Sequence, residues 1–251
     1  MDNEGSTRAP APSLSIVIPA YNEQSRIGST IEHLAAAWRE AHPGEATGSG
    51  DGLEILVSDD GSVDSTAATV QAHRGSHPNV RLIRSDRNRG KGAALRLGID
   101  SALGDIVVLL DADLPIPFHE ILALADAASS ADLVLGTRLS NSGVTAAQPV
   151  GRRIGGWLFR SAVRALGYHR ASDPQCGAKA LRRATVGPVL ESVTAAGYAF
   201  DVELIERCAR RGLTVVERPV TWRHTPGSRV RPVRDALTTL GTLARLRSTF
   251  R

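Results

Sequence analysis

The sequence predicts an α/β protein: a mostly parallel, Rossmann-like sheet with helices on both faces. Three observations carry this. Short β-branched apolar runs alternate with stretches of helical spacing from Leu14 to Gly136. The runs are apolar throughout rather than at every second position, the pattern of strands buried on both faces. Polar residues, chiefly Asp and Asn, follow the runs at once, as strand-to-helix turns favour.

The elements follow in order. Leu14-Ser-Ile-Val-Ile-Pro19 is a strand stopped by proline, after which Ile27, Ile31, Leu34, Ala35 and Trp38 recur at helical spacing. A Gly/Pro-rich connection from His42 to Gly52 leads to the strand run Leu53–Val57, the turn Ser58-Asp-Asp-Gly-Ser62 and a helix ending near Arg74. Val80–Ile83 is the third strand, Lys91–Ala102 a glycine-punctuated helix, Asp105–Leu110 the fourth strand, Phe118–Ala128 a helix and Asp132–Gly136 the fifth strand. The pattern changes from Gly151. Arg152–Arg164 is a basic amphipathic helix, Ala178–Leu181 a further strand, Phe200–Arg211 a helix, Thr214–Val220 a strand, and Val233–Phe250 the last helix. With no internal repeat or clear linker, residues 13–230 are expected to form one domain. Residues 1–12 are expected to be a frayed tail, and 231–251 a basic helix belonging to the same domain.

With 251 residues the chain is long enough to close a sizeable core. Apolar residues at 42% and charged ones at 22% exclude a low-complexity or coiled-coil protein. The net charge of +4 conceals a split: residues 1–151 hold 11 basic and 19 acidic side chains, a net of −8, and residues 152–251 hold 19 and 7, a net of +12. The basic end is expected to meet something anionic, such as a membrane surface, phosphates or nucleic acid. Cys176 and Cys208 are too few for a disulfide framework or zinc cluster, so they read as core thiols in a reducing cytoplasm. No apolar stretch approaches the roughly 18 residues of a spanning helix, and the acidic N-terminus lacks the pattern of a signal peptide.

In such sheets ligands bind beyond the carboxyl ends of the strands. The candidates are therefore Tyr21, Asn22 and Glu23 after the first strand, Asp59 and Asp60 after the second, Asp86 after the third, Asp111 and Asp113 after the fourth and Arg138 after the fifth, all expected on one rim. The preference of Asp and Asn for turns and helix N-caps explains any one of them, but poorly explains five successive cases. Asp111-Ala-Asp113 is the most specific: two carboxylates one residue apart at a strand end can share a Mg²⁺ or Mn²⁺ with substrate phosphate oxygens and water. Taken alone, that common spacing is better explained by a solvated loop; its placement after the fourth strand, with Asp60 on a neighbouring rim, reverses the preference in favour of the metal. Asp60 is suited to accept a hydrogen bond from a base or ribose donor, while Asp64 or Ser62 is expected to cap the following helix. In Asp86-Arg-Asn-Arg-Gly-Lys-Gly92 the glycines permit close backbone approach and Lys91 offers a point charge to phosphate or base, without the spacing of a Walker A loop.

The ordered strings Ile16-Val-Ile-Pro-Ala-Tyr-Asn-Glu23, Ser58-Asp-Asp-Gly-Ser-Val-Asp64, Arg89-Gly-Lys-Gly-Ala-Ala94 and Asp111-Ala-Asp113 resemble glycosyltransferase family 2, with its A-type glycosyltransferase fold. The resemblance continues through Gly136-Thr-Arg138, Asp173-Pro-Gln-Cys-Gly-Ala-Lys179, Gly197-Tyr-Ala-Phe-Asp-Val-Glu-Leu204 and Gly227-Ser-Arg229, which are similar to the dolichyl-phosphate glucosyltransferase and dolichol-phosphate mannose synthase branch. It implies inverting transfer of a hexose from a nucleotide-diphosphate sugar to a polyprenyl phosphate, with Mg²⁺ or Mn²⁺ as cofactor. By motif, Pro19, Ala20, Tyr21, Glu23 and Asp60 would hold the nucleoside, Lys91 and Ala112 would complete the nucleotide-sugar site, and Asp111 and Asp113 would hold metal and diphosphate. Arg138, Arg223 and Arg229 would meet phosphates, those of the acceptor included, and Asp113, Asp201 and Arg229 would carry catalysis. The Asp-Pro-Gln-Cys-Gly form resembles the glucosyl more than the mannosyl branch, implying UDP-glucose. Arg229 stands where the family usually has lysine, which keeps the charge and adds a fork suited to phosphate.

A phosphate monoester is anionic near neutral pH and attacks an anomeric carbon without help from a base, whereas a hydroxyl acceptor needs a carboxylate in reach, for which Asp201 and Glu203 are the candidates. With a phosphate acceptor, Asp201 instead orients the sugar or an arginine. Glu203 is equally well read as a helix-surface residue pairing with Arg207 at i+4. A lipid acceptor also gives the basic half a purpose. Arg152, Arg153, Arg160 and Arg164 with Trp157 and Phe159, and Arg231, Arg234, Arg245, Arg247 and Arg251 with Leu237, Leu240, Leu243 and Phe250, suit interfacial helices on an anionic membrane. Packing of the apolar face on the core explains the first helix equally well; the membrane is favoured for the last. The expected location is thus the cytoplasmic face of a membrane, held peripherally. With 4% aromatic residues and no recognition module, nucleic acid is the weaker partner. The rival readings are GDP-mannose as donor, a hydroxyl acceptor with Asp201 as base, and a nucleotide-sugar-binding protein without turnover. A homo-oligomer is compatible with all of them.

Overall fold

In the computed structural model, which describes residues 13–43, 52–138, 150–222 and 232–250, the strands are β1 (Leu14–Ala20), β2 (Leu53–Asp59), β3 (Val80–Arg84), β4 (Ile106–Leu109), β5 (Leu133–Thr137), β6 (Lys179–Arg182) and β7 (Val215–Pro219). The helices are α1 (Ile27–Ala41), α2 (Thr66–Arg74), α3 (Lys91–Ser101), α4 (Phe118–Ala127), α5 (Val150–Ala165), α6 (Arg183–Leu190), α7 (Phe200–Arg210) and α8 (Pro232–Leu246), the last followed by a 3₁₀ turn at Arg247–Phe250. The strands form one seven-stranded sheet in the order β3-β2-β1-β4-β6-β5-β7. All run parallel except β6, which is antiparallel to both neighbours, Lys179 lying opposite Leu109 of β4 and Leu135 of β5.

Side-chain alternation along each strand builds two cores. Ile16, Ile18, Ile55, Val57 and Val108 face α1 and α4, where Ile27, Ile31, Leu34, Ile121 and Leu124 are buried. Val17, Leu56, Val107 and Leu109 face the other way, onto Leu95 and Ile99 of α3, Phe200 and Leu204 of α7 and Leu243 of α8. Each fully buried Leu, Ile or Phe contributes about 1.5–3 kcal/mol. The doubly covered sheet is why these strands read as continuous apolar runs.

The inserted antiparallel strand positions the site. Because β6 runs backwards between β4 and β5, its N-terminal end lies at the edge where the parallel strands end, and residues 173–178 arrive beside Asp111 and Arg138. Helix α6 has no counterpart among the sequence expectations. Its Thr185, Val186, Gly187 and Pro188 are poor helix formers, and burial of Val186, Val189 and Leu190 holds it.

The two basic helices divide between the competing expectations. Val163 of α5 and Leu243 and Leu246 of α8 are buried, Phe159 and Leu240 pack against the same core, and Phe250 meets Tyr168 edge to face at 6.1 Å with Arg207 and Arg210 over its ring. Phe250 is therefore a packing residue rather than a free interfacial one. By contrast Trp157 and Leu158 on α5 and Val233 and Leu237 on α8 are exposed, at 61%, 55%, 74% and 67%. Among the described residues no helix is long and apolar enough to cross a membrane. The tail 1–12, Arg223, Arg229, Arg231 and Arg251, and the side chains of Arg152, Arg153 and Ile154, lie outside the described residues.

Candidate active site

Beyond β4 the chain keeps one more sheet contact, Leu110 N–H donating to the Val17 carbonyl at 3.0 Å, and then turns out over the edge as Asp111-Ala-Asp113. Ala112 is buried, and its carbonyl accepts the Thr30 hydroxyl of α1 at 2.6 Å. Leu114 closes the turn with its N–H on the Asp111 carbonyl at 3.1 Å and a φ of 48°. A leucine in the left-handed region costs about 1–2 kcal/mol, so the surroundings impose this turn. It leaves Asp111 and Asp113 half-buried on the rim.

Two neighbours fix Asp111. Lys91 Nζ lies 2.5 Å from Asp111 Oδ1. From the other side, Gly177 presses so close that a Cβ on it would stand 2.0 Å from Asp111 Oδ2. Burial works to raise the Asp111 pKa, but Lys91, then Lys179 and Arg138, outweigh it and hold the carboxyl below its usual range. Burial, reinforced by the Asp111 charge, raises that of Asp113. Burial likewise opposes the charge of Lys91, but Asp111 and Asp201 overcome it and keep the ammonium protonated.

Lys91 is itself aimed by Asp60. The two Asp60 carboxylate oxygens accept the backbone N–H groups of Arg89, at 2.9 Å, and Gly90, at 2.7 Å. The expected contact of Asp60 with a base or ribose is thus preceded by one with the loop that carries Lys91. Gly90 sits at φ 105°, where a Cβ would meet the Ala196 carbonyl at 2.6 Å. The close approach this glycine permits is to the 195–197 segment.

Of the nucleoside candidates, Pro19 and Ala20 end β1 in register with Ser58 and Asp59 of β2, and Tyr21 stands 38% exposed just beyond. Asn22 takes φ 56°, with its Oδ1 accepting Val63 N–H at 2.9 Å, and Glu23 pairs with Arg26 at 2.9 Å. Asp64 caps α2 as expected, accepting Thr66 N–H at 2.9 Å, whereas Ser62 donates to Asp59. Asp86 is exposed beyond β3, an edge strand three places from β4, and the sheet does not bring it to Asp111.

Arg138 follows β5 onto the same rim. Its guanidinium forks onto Asp173, Nε at 2.7 Å and Nη2 at 2.8 Å, and lies 5.0 Å from the centre of the Trp222 ring. A protein carboxylate thus fills the fork expected for phosphate. Asp201 reaches the site from the first turn of α7 but is only 5% exposed, its Oδ1 2.8 Å from Nζ of the fully buried Lys179. Its ion-pair partner among the described residues is a lysine rather than an arginine. Glu203 is not on the surface: it is fully buried and accepts Arg207 Nε at 2.8 Å, Thr194 N–H at 2.9 Å and Ala195 N–H at 2.7 Å. The expected i+4 pairing is present, inside rather than outside. Tyr198 completes the group. Burial raises its pKa against the pull of Lys91, with help from Asp235 of α8, Asp111 and Asp201, so the first turn of α8 lies within electrostatic reach of the rim.

Asp173, Gly177, Lys179 and Tyr198 carried no individual role in the sequence reading. The signals for them are the family-like strings Asp173–Lys179 and Gly197–Leu204 and, in physical terms, a lysine inside the apolar run Ala178-Lys-Ala-Leu181, a buried charge in need of a partner.

Asp111 and Asp113 are two mutually repelling carboxylates on an open rim. Among the described residues no group of three or more His, Cys, Asp or Glu side chains could hold a metal by itself. This donor set fits a Mg²⁺ or Mn²⁺ that completes its shell with phosphate oxygens and water, and does not fit a closed structural site.

Comparison with known proteins bears on the family and the fold. A dolichyl-phosphate beta-glucosyltransferase of Dictyostelium discoideum is 30% identical over 243 residues, covering 93% of this chain and 73% of the relative. That of Saccharomyces cerevisiae is 28% identical, over 89% of this chain and 71% of the relative. Among solved structures, glucosyl-3-phosphoglycerate synthase from Mycobacterium tuberculosis in complex with UDP aligns with a TM-score of 0.60 at 23% identity, over 93% of this chain and 80% of that one, and shares the fold. Residues 15–187 match the family described as Glycosyl transferase family 2. The order of rim motifs, the sheet that carries them and this match agree: the chain belongs to glycosyltransferase family 2.

Proposed function

We propose that this glycosyltransferase moves glucose from UDP-glucose onto a polyprenyl phosphate, with inversion, while held peripherally at the cytoplasmic face of a membrane. The supporting observation is that Asp201 and Glu203, the carboxylates the sequence offers as bases, are already engaged, as is Asp173. Asp201 is ion-paired with Lys179, Glu203 is saturated by Arg207 and two backbone N–H groups, and Asp173 is forked by Arg138. A hydroxyl acceptor would have to free one of these carboxylates before using it as a base, whereas a phosphate needs none. Its oxygen attacks the anomeric carbon directly, the bond to the diphosphate breaks, and UDP leaves with the electron pair.

Asp111 and Asp113 would hold the divalent cation, which supplies Lewis-acid neutralisation of the departing diphosphate. The ends of β1 and β2, with Tyr21, Glu23 and Asp60, would take the nucleoside. The similarity to dolichyl-phosphate beta-glucosyltransferases supports the acceptor class. The exposed Trp157, Leu158, Val233 and Leu237, on helices that also carry Arg160, Arg164, Arg234 and Arg245, suit an anionic bilayer surface.

The test is transfer from UDP-glucose and GDP-mannose to polyprenyl phosphate in anionic and in zwitterionic vesicles, with free sugars and lipid hydroxyls as competing acceptors. Glucosyl product on the phosphate, faster on anionic vesicles, is expected. Mannosyl product would move the donor to GDP-mannose, and product on hydroxyls alone would overturn the acceptor. In the same assay Gly177→Ala is expected to displace the Asp111 carboxylate and lower kcat/KM on the order of 10²-fold, the effect of an ångström-scale misplacement, with thermal unfolding little changed. Wild-type rates would show that Asp111 does not need the glycine.

A further inference from the structure

We propose that Lys91 is the resident counter-ion of Asp111 and exchanges it for the diphosphate, so that divalent cation and nucleoside diphosphate bind as a coupled pair rather than independently. The inference rests on the nucleotide-sugar reading of the site. Its starting point is Lys91 Nζ at 2.5 Å from Asp111 Oδ1, on the carboxylate that the metal would need.

A cation arriving alone must displace an ammonium from Asp111 or share the carboxylate with it, at a separation where like charges repel strongly. Among the described residues the other acids whose charge couples to Lys91 are already committed, Asp201 to Lys179 at 2.8 Å and Asp113 to the arriving cation itself. An incoming diphosphate changes both sides of the exchange. It gives Lys91 a new anionic partner and gives the cation the oxygens that two carboxylates cannot supply.

Lys91 is built for such a move. The backbone before it is pinned by Asp60 through Arg89 and Gly90, so its origin is fixed. Its flexible four-carbon stem keeps a side-chain exposure of 23%, and that of Asp111 is 29%. Because coupling is reciprocal, cation and diphosphate each raise the affinity for the other by the same factor.

The experiment is Mn²⁺ binding by electron paramagnetic resonance of the free ion, with and without UDP, on the full chain and on Lys91→Met, Lys91→Gln and Lys91→Arg. Wild type is expected to bind Mn²⁺ weakly alone and about 10-fold or more tightly with saturating UDP. Lys91→Met is expected to bind Mn²⁺ alone more tightly than wild type, with a smaller gain from UDP, and Lys91→Arg to restore the wild-type pattern. Lys91→Gln, which keeps a donor for Asp111 without the charge, is expected to follow Lys91→Met and serves if the methionine variant is poorly folded. Mn²⁺ affinity without UDP that is unchanged or weaker in the neutral variants would overturn the counter-ion role while leaving the function intact. Absence of Mn²⁺ binding by wild type even with UDP would overturn both.

Discussion

Asp113→Asn is expected to fold normally and to lose metal-dependent transfer on the order of 10³-fold. The loss follows from the donor set. Among the described residues no third acid or histidine joins Asp111 and Asp113, so the amide leaves one charged ligand, already paired with Lys91. Lewis-acid stabilisation of a departing group contributes several kcal/mol, and about 4 kcal/mol is a factor of about 10³ in rate. Stability is expected to move the other way, if at all. Burial and the neighbouring Asp111 charge both disfavour ionised Asp113 in the folded chain, so a neutral isostere relieves strain rather than adding it. Initial rates across a Mn²⁺ titration, with thermal unfolding of the same samples, check both halves. Wild-type rates at low Mn²⁺ would remove Asp113 from the metal site.

Much of this geometry is legible in the sequence, for a physical reason. A strand covered on both faces must be apolar along its length, so Ile16-Val-Ile18 and Ile106–Leu110 announce both themselves and the rim where they end. Asp111, Asp113, Asp60 and Arg138 are accordingly brought to one edge. Antiparallel β6 left a weaker trace, being four residues with a lysine in the first position, and α6 left none, because Thr185, Gly187 and Pro188 speak against a helix that tertiary burial enforces. Pairing is the layer that local pattern cannot carry. The sequence shows Lys91, Arg138 and Asp201 as free charges near a ligand; the structure shows Asp111, Asp173 and Lys179 already against them, each from a distant part of the chain. Glu203 makes the same point in reverse. Its i+4 partner Arg207 is visible locally, and its burial beneath Thr194 and Ala195 is not.

Lys179→Met is expected to cost about 3–5 kcal/mol of stability, because removing one partner of a buried ion pair strands the other charge. Lys179 is 1% exposed and Asp201 5%, so solvent does little to screen the pair. The substitution also takes the donor from the Cys176 carbonyl. At about 2–4 °C per kcal/mol for a chain of this size, the midpoint of thermal unfolding should fall by about 6–20 °C. Adding Asp201→Leu is expected to recover more than half of the loss, since a buried pair replaced by apolar groups of similar volume is often near neutral. The same variants separate two roles for Asp201. If it positions α7 and the 173–179 segment through Lys179, then Asp201→Asn and Lys179→Met, assayed well below both unfolding midpoints, lower kcat/KM by similar factors and leave the acidic limb of the pH profile in place. A fully stable Asp201→Asn variant that is inactive while Lys179→Met still turns over would instead make Asp201 a base. That result would also reopen the hydroxyl acceptor, because the engaged carboxylates are what favour a phosphate.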